Sequence, residues 1–307
     1  MKLDLRLLKR LLVIDHPSKQ EWPMLSFIIN ECYKIGGLDF EMDSYNNIFI
    51  TKNSSNPEYY PAVVCHTDCV LPHKNKQVDI QQGKIFGKDV KTNKRIGLGM
   101  DDANGICCAI QLLKSIPNLK VCFTTEEEIG YNGAYSAAEN IDFWYNVSYM
   151  IQADRHGKSD LITFTNGIDS ASDKWLEEAS GVMAEFGYSE APGIGTDIGI
   201  LAEELKISGV NISCGYYKEH TDKEYTIISE LQNCLNFMEK LLLTIPTDKQ
   251  YDIKIEYVPR TQTYGGWDWN CRSDAYDDSP REYDDDDDLP CHYCTDYDCM
   301  NCKKNPW

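Results

Sequence analysis

Four apolar runs of this 307-residue chain end in acids or histidines. VVCHTDC carries His66 and Asp68, CFTTEEEIG carries Glu126, Glu127 and Glu128, MIQADRHG carries Asp154, and ISCGYYKEHT leads to His220. A fifth stretch, GLGMDDANG at 97–105, sets Asp101 and Asp102 side by side just before the apolar run ICCAI. Imidazole nitrogens and carboxylate oxygens are ligands that zinc accepts. One carboxylate can bridge two ions about 3.5–4 Å apart, an oxygen to each. Two cations would also offset the repulsion among Asp101, Glu128 and Asp154, a cluster otherwise costly to bury. Each piece alone has a plainer reading. His66-Thr67-Asp68 is an ordinary surface turn, the triple glutamate a solvated loop, and Asp-Asp-Ala-Asn-Gly a helix N-cap whose carboxylate meets free backbone N–H groups. Their joint occurrence at strand ends favours a site.

The elements that must position these residues alternate along the chain. YYPAVVCH (59–66), LKVCFTTE (119–126), VSYMIQAD (147–154) and GVNISCGYY (209–217) read as buried strands, rich in β-branched and aromatic residues. SFIINECYKIG (26–36), GICCAIQLLKSI (105–116) and SELQNCLNFMEKLLLTI (229–245) read as helices. Alternating strands and helices predict an α/β three-layer sandwich with a mostly parallel central sheet. In such sheets ligands bind beyond the carboxyl ends of the strands, where the acids and histidines fall.

Hydrophobic residues make up 42% of the chain, enough for a sizeable core, and the formal net charge of −19 argues against nucleic acid or an anionic membrane as partner. MKLDLRLLKRLLVIDHPS has leucines at helical spacing, but Lys9 and Arg10 interrupt it, so it reads as an amphipathic helix rather than a secretory signal. No run approaches the ~20 apolar residues of a membrane span. The 13 cysteines, several of them scattered in strand-like runs, fit a reducing compartment, and the expected location is cytoplasmic. Apolar periodicity ends near 258. Residues 259–290 read as an acidic, disordered linker closing on five aspartates, and 291–307 as a cysteine-rich tail. From 259 to 307 there are 12 acidic and 5 basic residues, a net of −7.

His-x-Asp, Gly-x-Asp-Asp-x-x-Gly, Glu-Glu-x-Gly, a strand-ending Asp and a late His, in that order over residues 1–258, resemble the catalytic domain of the co-catalytic zinc exopeptidases. That superfamily contains leucine and glutamyl aminopeptidases, peptidase T-like tripeptidases and aminoacylases. The resemblance implies two Zn2+ (or Co2+ or Mn2+) ions. His66 and Asp154 would hold the first, Glu128 and His220 the second, and Asp101 would bridge them. Asp68 would orient the His66 imidazole from behind, fixing its tautomer. The bond after the bridging aspartate is often cis in the family, which implies a cis Asp101–Asp102 bond here. Glu127, preceding the ligand, would be the general base for a water whose pKa the metals lower from roughly 15.7 toward about 7. Glu126 is the alternative base, and the fixed step to Gly130 favours Glu127.

Lidded members of the superfamily carry a dimerising domain between the Asp ligand and the last His. Asp154 to His220 is 66 residues, too few for a separate domain, and the 35 residues from His66 to Asp101 are too few for the inserted β-domain of the large self-assembling aminopeptidases. A lidless chain lacks the lid's grip on a substrate carboxylate, while an acidic site suits a free amine. An aminopeptidase acting on peptides with a free N-terminus is therefore expected, with a dipeptidase or deacylase, or a non-catalytic peptide-binding module, as alternatives. The loop GIGTDIG (193–199) resembles the Gly-Thr-Asp segment that borders the substrate pocket in glutamyl aminopeptidases, so Asp197 is a candidate contact for an amine or a ligating His; a glycine-rich turn is the plainer reading. Cys291, Cys294, Cys299 and Cys302 form two CxxC pairs that would suit a third, tetrahedral Zn2+, although the gap of four is short for a zinc ribbon and a redox or unstructured tail stays open. His16, His73, His156 and His292 have no comparable context.

Overall fold

The computed structural model describes residues 1–255, so the domain boundary at 258, the acidic linker and Cys291, Cys294, Cys299 and Cys302 lie outside the described residues. The chain opens with α1 (Leu5–Leu11), where the Asp4 carboxylate accepts the N–H groups of Arg6 and Leu7. That satisfies two of the helix's otherwise orphaned donors. Next come α2 (Trp22–Tyr33), with a proline in its first turn, and the strands β1 (Leu38–Met42), β2 (Ile48–Asn53) and β3 (Tyr60–His66). After β3 the chain leaves the main sheet for a small antiparallel one made of β4 (Lys76–Gln81), β5 (Lys84–Asp89) and β6 (Arg95–Ile96).

It returns through α3 (Met100–Ser115), β7 (Asn118–Thr124), α4 (Asn132–Ala138), α5 (Ile141–Trp144), β8 (Val147–Arg155), β9 (Asp160–Thr165) and β10 (Ile168–Asp169). Then follow α6 (Asp173–Phe186), β11 (Ser189–Pro192), α7 (Asp197–Leu205) and β12 (Gly209–Ser213). Two short strands, β13 (Tyr216–Tyr217) and β14 (Tyr225–Ile227), complete the small sheet, and α8 (Ile228–Thr244) packs back over the core.

The large sheet runs β1-β2-β7-β3-β8-β12-β9-β10, with β11 beside β9. Its central strands β7, β3, β8 and β12 are mutually parallel, and antiparallel pairs occur toward both edges. The expected parallel sheet is therefore present at the centre, where both faces are covered and apolar runs are nearly continuous.

Alternation along the strands divides the core into two layers. Ile48, Ile50, Val63, Cys65, Val121, Phe123, Tyr149 and Ile151 pack with apolar residues of α1, α2, α3, α6 and α8. Phe49, Ala62, Val64, Cys122 and Met150 face α4, α5 and α7. Successive side chains point to opposite faces of a strand, so this segregation makes the molecule three layers deep. In α3 every residue from Met100 to Leu113 is buried, and a helix without a polar stripe belongs inside.

Between Asp154 and His220 the strands β9 to β12 all join the large sheet, so among the described residues no separate lid domain interrupts this interval. The interval from His66 to Asp101 does hold a β-element that the sequence reading did not anticipate, the strands β4–β6. They are short and largely polar, and their pairing with β14 is a long-range contact.

Candidate active site

The register of the central strands places the candidate ligands. β3 pairs with β7 so that His66 lies opposite Thr124, and with β8 so that Val64 lies opposite Gln152, two residues before Asp154. His66 is buried at the end of β3. Its Nε2 lies 2.8 Å from Asp101 Oδ1 and 3.6 Å from Asp154 Oδ1, and its Nδ1 lies 3.3 Å from Asp68 Oδ1. His220, in left-handed backbone (φ 61°), brings Nε2 to 3.0 Å from Glu128 Oε1 and 3.4 Å from Asp101 Oδ2. Asp101 thus turns one oxygen to each histidine. All five residues expected as metal ligands come together, and donor atoms of His66, Asp101 and Glu128 lie within 4.8 Å of one another.

The Asp-Asp pair divides its work. The bond between Asp101 and Asp102 is cis, and neither residue has helical backbone. While Asp101 faces the histidines, Asp102 is fully buried and accepts the N–H of Gly105 at 3.0 Å and of His66 at 3.3 Å. It caps the regular part of α3, so the N-cap reading holds for Asp102 alone. The glycine of the motif follows from this cap, because a Cβ on Gly105 would sit 2.3 Å from Asp102 Oδ1.

Asp68 has a wider role than orienting His66. It also accepts the Ser18 hydroxyl at 2.7 Å and the N–H groups of Glu127 at 3.0 Å and Glu128 at 3.2 Å. Burial opposes its ionisation, but His66 and these donors prevail and hold its carboxyl below the usual range. Glu126, in left-handed backbone, is tied away from this cluster by Asn132 at 3.0 Å. The Glu127 carboxyl is raised well above the usual range by burial, with Asp197, Asp154 and Glu128 adding to the effect. Burial, reinforced by Asp101, pushes Asp154 to about 8.

Several supporting residues carried no signal in the sequence reading. The Oδ2 of Asp154 accepts Gln152 at 3.1 Å and Thr196 at 3.3 Å, and its Oδ1 accepts the Tyr216 hydroxyl at 3.1 Å. Asn211 fixes the Asp154 backbone through both its N–H (2.9 Å) and its carbonyl (2.7 Å). Glu224, buried, accepts backbone N–H groups of the loop leading into Asp101. Within the Gly-Thr-Asp segment it is Thr196 that reaches Asp154. Asp197 is fully buried at the start of α7, accepts the Thr124 hydroxyl, and is pushed to about 7, chiefly by burial. His156 pairs with Glu219 at 2.8 Å, and the His16 Nδ1–H donates to the Thr67 carbonyl at 2.9 Å.

No family model matches this sequence, and none of the curated proteins matches it. Solved structures do. An aminopeptidase PepT from Bacillus cereus superposes with a TM-score of 0.65 at 16% identity, over 77% of this chain and 97% of that one. A tripeptidase from Staphylococcus aureus gives 0.64 at 15%, over 78% and 96%. An aminopeptidase from the archaeon Desulfurococcus kamchatkensis gives 0.59 at 14%, over 80% and 95%. The fold is therefore that of peptidase catalytic domains, a likeness of architecture at low identity.

Proposed function

We propose that this protein is a two-metal exopeptidase, and specifically an aminopeptidase that removes residues from the free amino ends of peptides. The observation that carries the reading is Asp101, placed between His66 and His220 with one oxygen toward each, at 2.8 and 3.4 Å. The donor set, two imidazoles and three carboxylates in a buried acid cluster, suits two zinc ions in chemistry and charge. His66 and Asp154 would hold one, Glu128 and His220 the other, and Asp101 both. When bound, such a pair acidifies water and polarises a carbonyl.

The remaining steps fall to the chain. Glu127, adjacent to Glu128 and held through its backbone N–H by Asp68, would as the carboxylate take a proton from the attacking water and deliver it to the leaving amine. Asp68 fixes the His66 tautomer and the backbone on which Glu127 and Glu128 sit. Asp197 adds a buried carboxyl near this cluster, and the surplus of acids around the site favours a substrate's free ammonium group. The peptidase fold and the lack of a lid among the described residues support an exopeptidase without a carboxylate grip. A third zinc on Cys291, Cys294, Cys299 and Cys302 is part of the proposal, tested by counting zinc in a chain truncated after residue 258.

The deciding experiment incubates zinc- or cobalt-loaded protein with a mixed peptide library, half of it N-acetylated, and reads products by mass spectrometry. Single residues lost from free amino ends only, and not with Glu127→Ala, are expected. Cleavage of blocked ends would replace the aminopeptidase with a deacylase. Two bound metals with no cleavage would leave a peptide-binding module.

A further inference from the structure

Glu224 follows His220 by four residues and is 2% exposed. Its Oε2 accepts the N–H groups of Leu98 at 2.7 Å and Gly99 at 2.9 Å, and its Oε1 accepts those of Met100 at 2.8 Å and Asp101 at 3.4 Å. Four consecutive backbone donors converge on one carboxylate. They are available because this stretch precedes the regular helix. Gly99 is left-handed (φ 72°) and Asp101 extended (φ −76°, ψ 103°), so none of the four N–H groups lies inside the α3 ladder.

The same two segments are joined at further points. Arg95 donates to the Lys223 carbonyl at 2.8 Å and the Glu224 carbonyl at 3.4 Å, and the Gly97 N–H reaches Asp222 Oδ1 at 3.4 Å. One segment ends on Asp101 and the other begins at His220, and the two side chains meet at 3.4 Å.

We infer that Glu224 is a positioning residue for the metal pair: it locks the Asp101 loop to the His220 loop, so that the bridging carboxylate and the second metal's histidine are presented as one preformed unit. The inference rests on the two-metal reading above. Both oxygens of Glu224 are needed as acceptors, and this makes the charge-neutral isostere informative. Glutamine offers one acceptor oxygen and an NH2 group, which would face backbone N–H donors on one side. Half of the clamp is then lost with little change in volume. Groups that orient metal ligands typically carry 10–100-fold in metal affinity.

The test titrates Co2+ into the full-length chain and reads both calorimetry and the visible d–d absorption, comparing wild type, Glu224→Gln, Glu224→Asp and His220→Ala. Circular dichroism first establishes the folded fraction of each. Wild type is expected to bind two ions. Glu224→Gln should bind the second about 10–100-fold more weakly, with a changed absorption band, and Glu224→Asp, which keeps the charge but is one methylene shorter, should fall between the two. If Glu224→Gln does not fold, Glu224→Asp carries the same criterion. A lowered melting temperature with wild-type cobalt affinity and spectrum would make Glu224 structural only and overturn the inference, leaving the two-metal reading intact. A wild-type chain that binds no Co2+ would sink that reading, and the inference with it.

Discussion

At the scale of single residues, two adjacent aspartates have unrelated tasks, and the difference can be measured. Asp101→Asn should abolish binding of at least one metal, whereas Asp102→Ala should cost about 1–2 kcal/mol of stability through the lost cap, read as a shift in urea midpoint. Gly105→Ala is a sharper case because its sign is unusual. Ala normally stabilises a helix relative to Gly by about 1 kcal/mol. Here the new methyl would lie 2.3 Å from Asp102 Oδ1, and overpacking should instead destabilise by about 1–3 kcal/mol. Gly181, on the exposed face of α6 with nothing within 4 Å of a built Cβ, is the control, and Gly181→Ala should stabilise. For chemistry, Glu127→Gln should lower kcat by about 10²–10⁴-fold while both metals stay bound, as elemental analysis would verify.

At the scale of elements, β7 carries a lysine that its strand cannot expose. Lys120 is 4% exposed, donates to the Phe143 carbonyl and to Asn146, and lies among the rings of Tyr60, Phe143 and Tyr145. Burial pushes it down to about 8 from 10.5. The folded chain therefore releases this proton before the unfolded one does. Between about pH 8 and 10.5 the unfolded state binds more protons, so the contribution of Lys120 to stability rises with pH there. Below pH 8 the full cost of burying the charge is present. Wild type should gain on Lys120→Met by about 1–2 kcal/mol across that window, allowing for partial solvent screening, in unfolding curves run at both ends. A difference that stayed flat with pH would mean that the aromatic surroundings compensate the charge fully.

At the scale of the whole molecule, the acid cluster and the buried thiols make separate predictions. Cations that bind only the folded chain stabilise it by about 2.7 kcal/mol per site at 100 times Kd. Removing both ions of the proposed pair with a chelator should lower Tm by about 10–20 °C, and zinc should restore it. The eight cysteines among the described residues, Cys32, Cys65, Cys69, Cys107, Cys108, Cys122, Cys214 and Cys234, are all buried. Burial raises the thiols of Cys32 and Cys69 to about 12, and those of Cys65 and Cys122 well above the ordinary range. Thiolate is the reactive form. Iodoacetamide on the native chain should therefore leave all eight unmodified, and denaturant should expose them, as peptide mapping would show. Among the described residues, no helix is long and apolar enough to cross a membrane.

What the sequence determined by itself was the alternation of strand and helix, the end of one strand at His66 and of another within a residue of Asp154, and the set of side chains with metal chemistry. These are legible because a strand's apolar run and a ligand's residue type are both local properties. Which carboxylate does what was decided only by the tertiary structure. Asp101 and Asp102 are identical in type and separated by one bond, and it is the packing of His66 against one and the N–H of Gly105 against the other that divides them. Thr196, rather than its acidic neighbour Asp197, reaches Asp154 because α7 starts beside the end of β8. Glu224 reads in sequence as one more acid in KEHTDKEY, since its partners are backbone N–H groups 123 to 126 residues away. Nearly every residue has such a group, so a clamp built on them leaves no signature in residue types and exists only once the chain has folded.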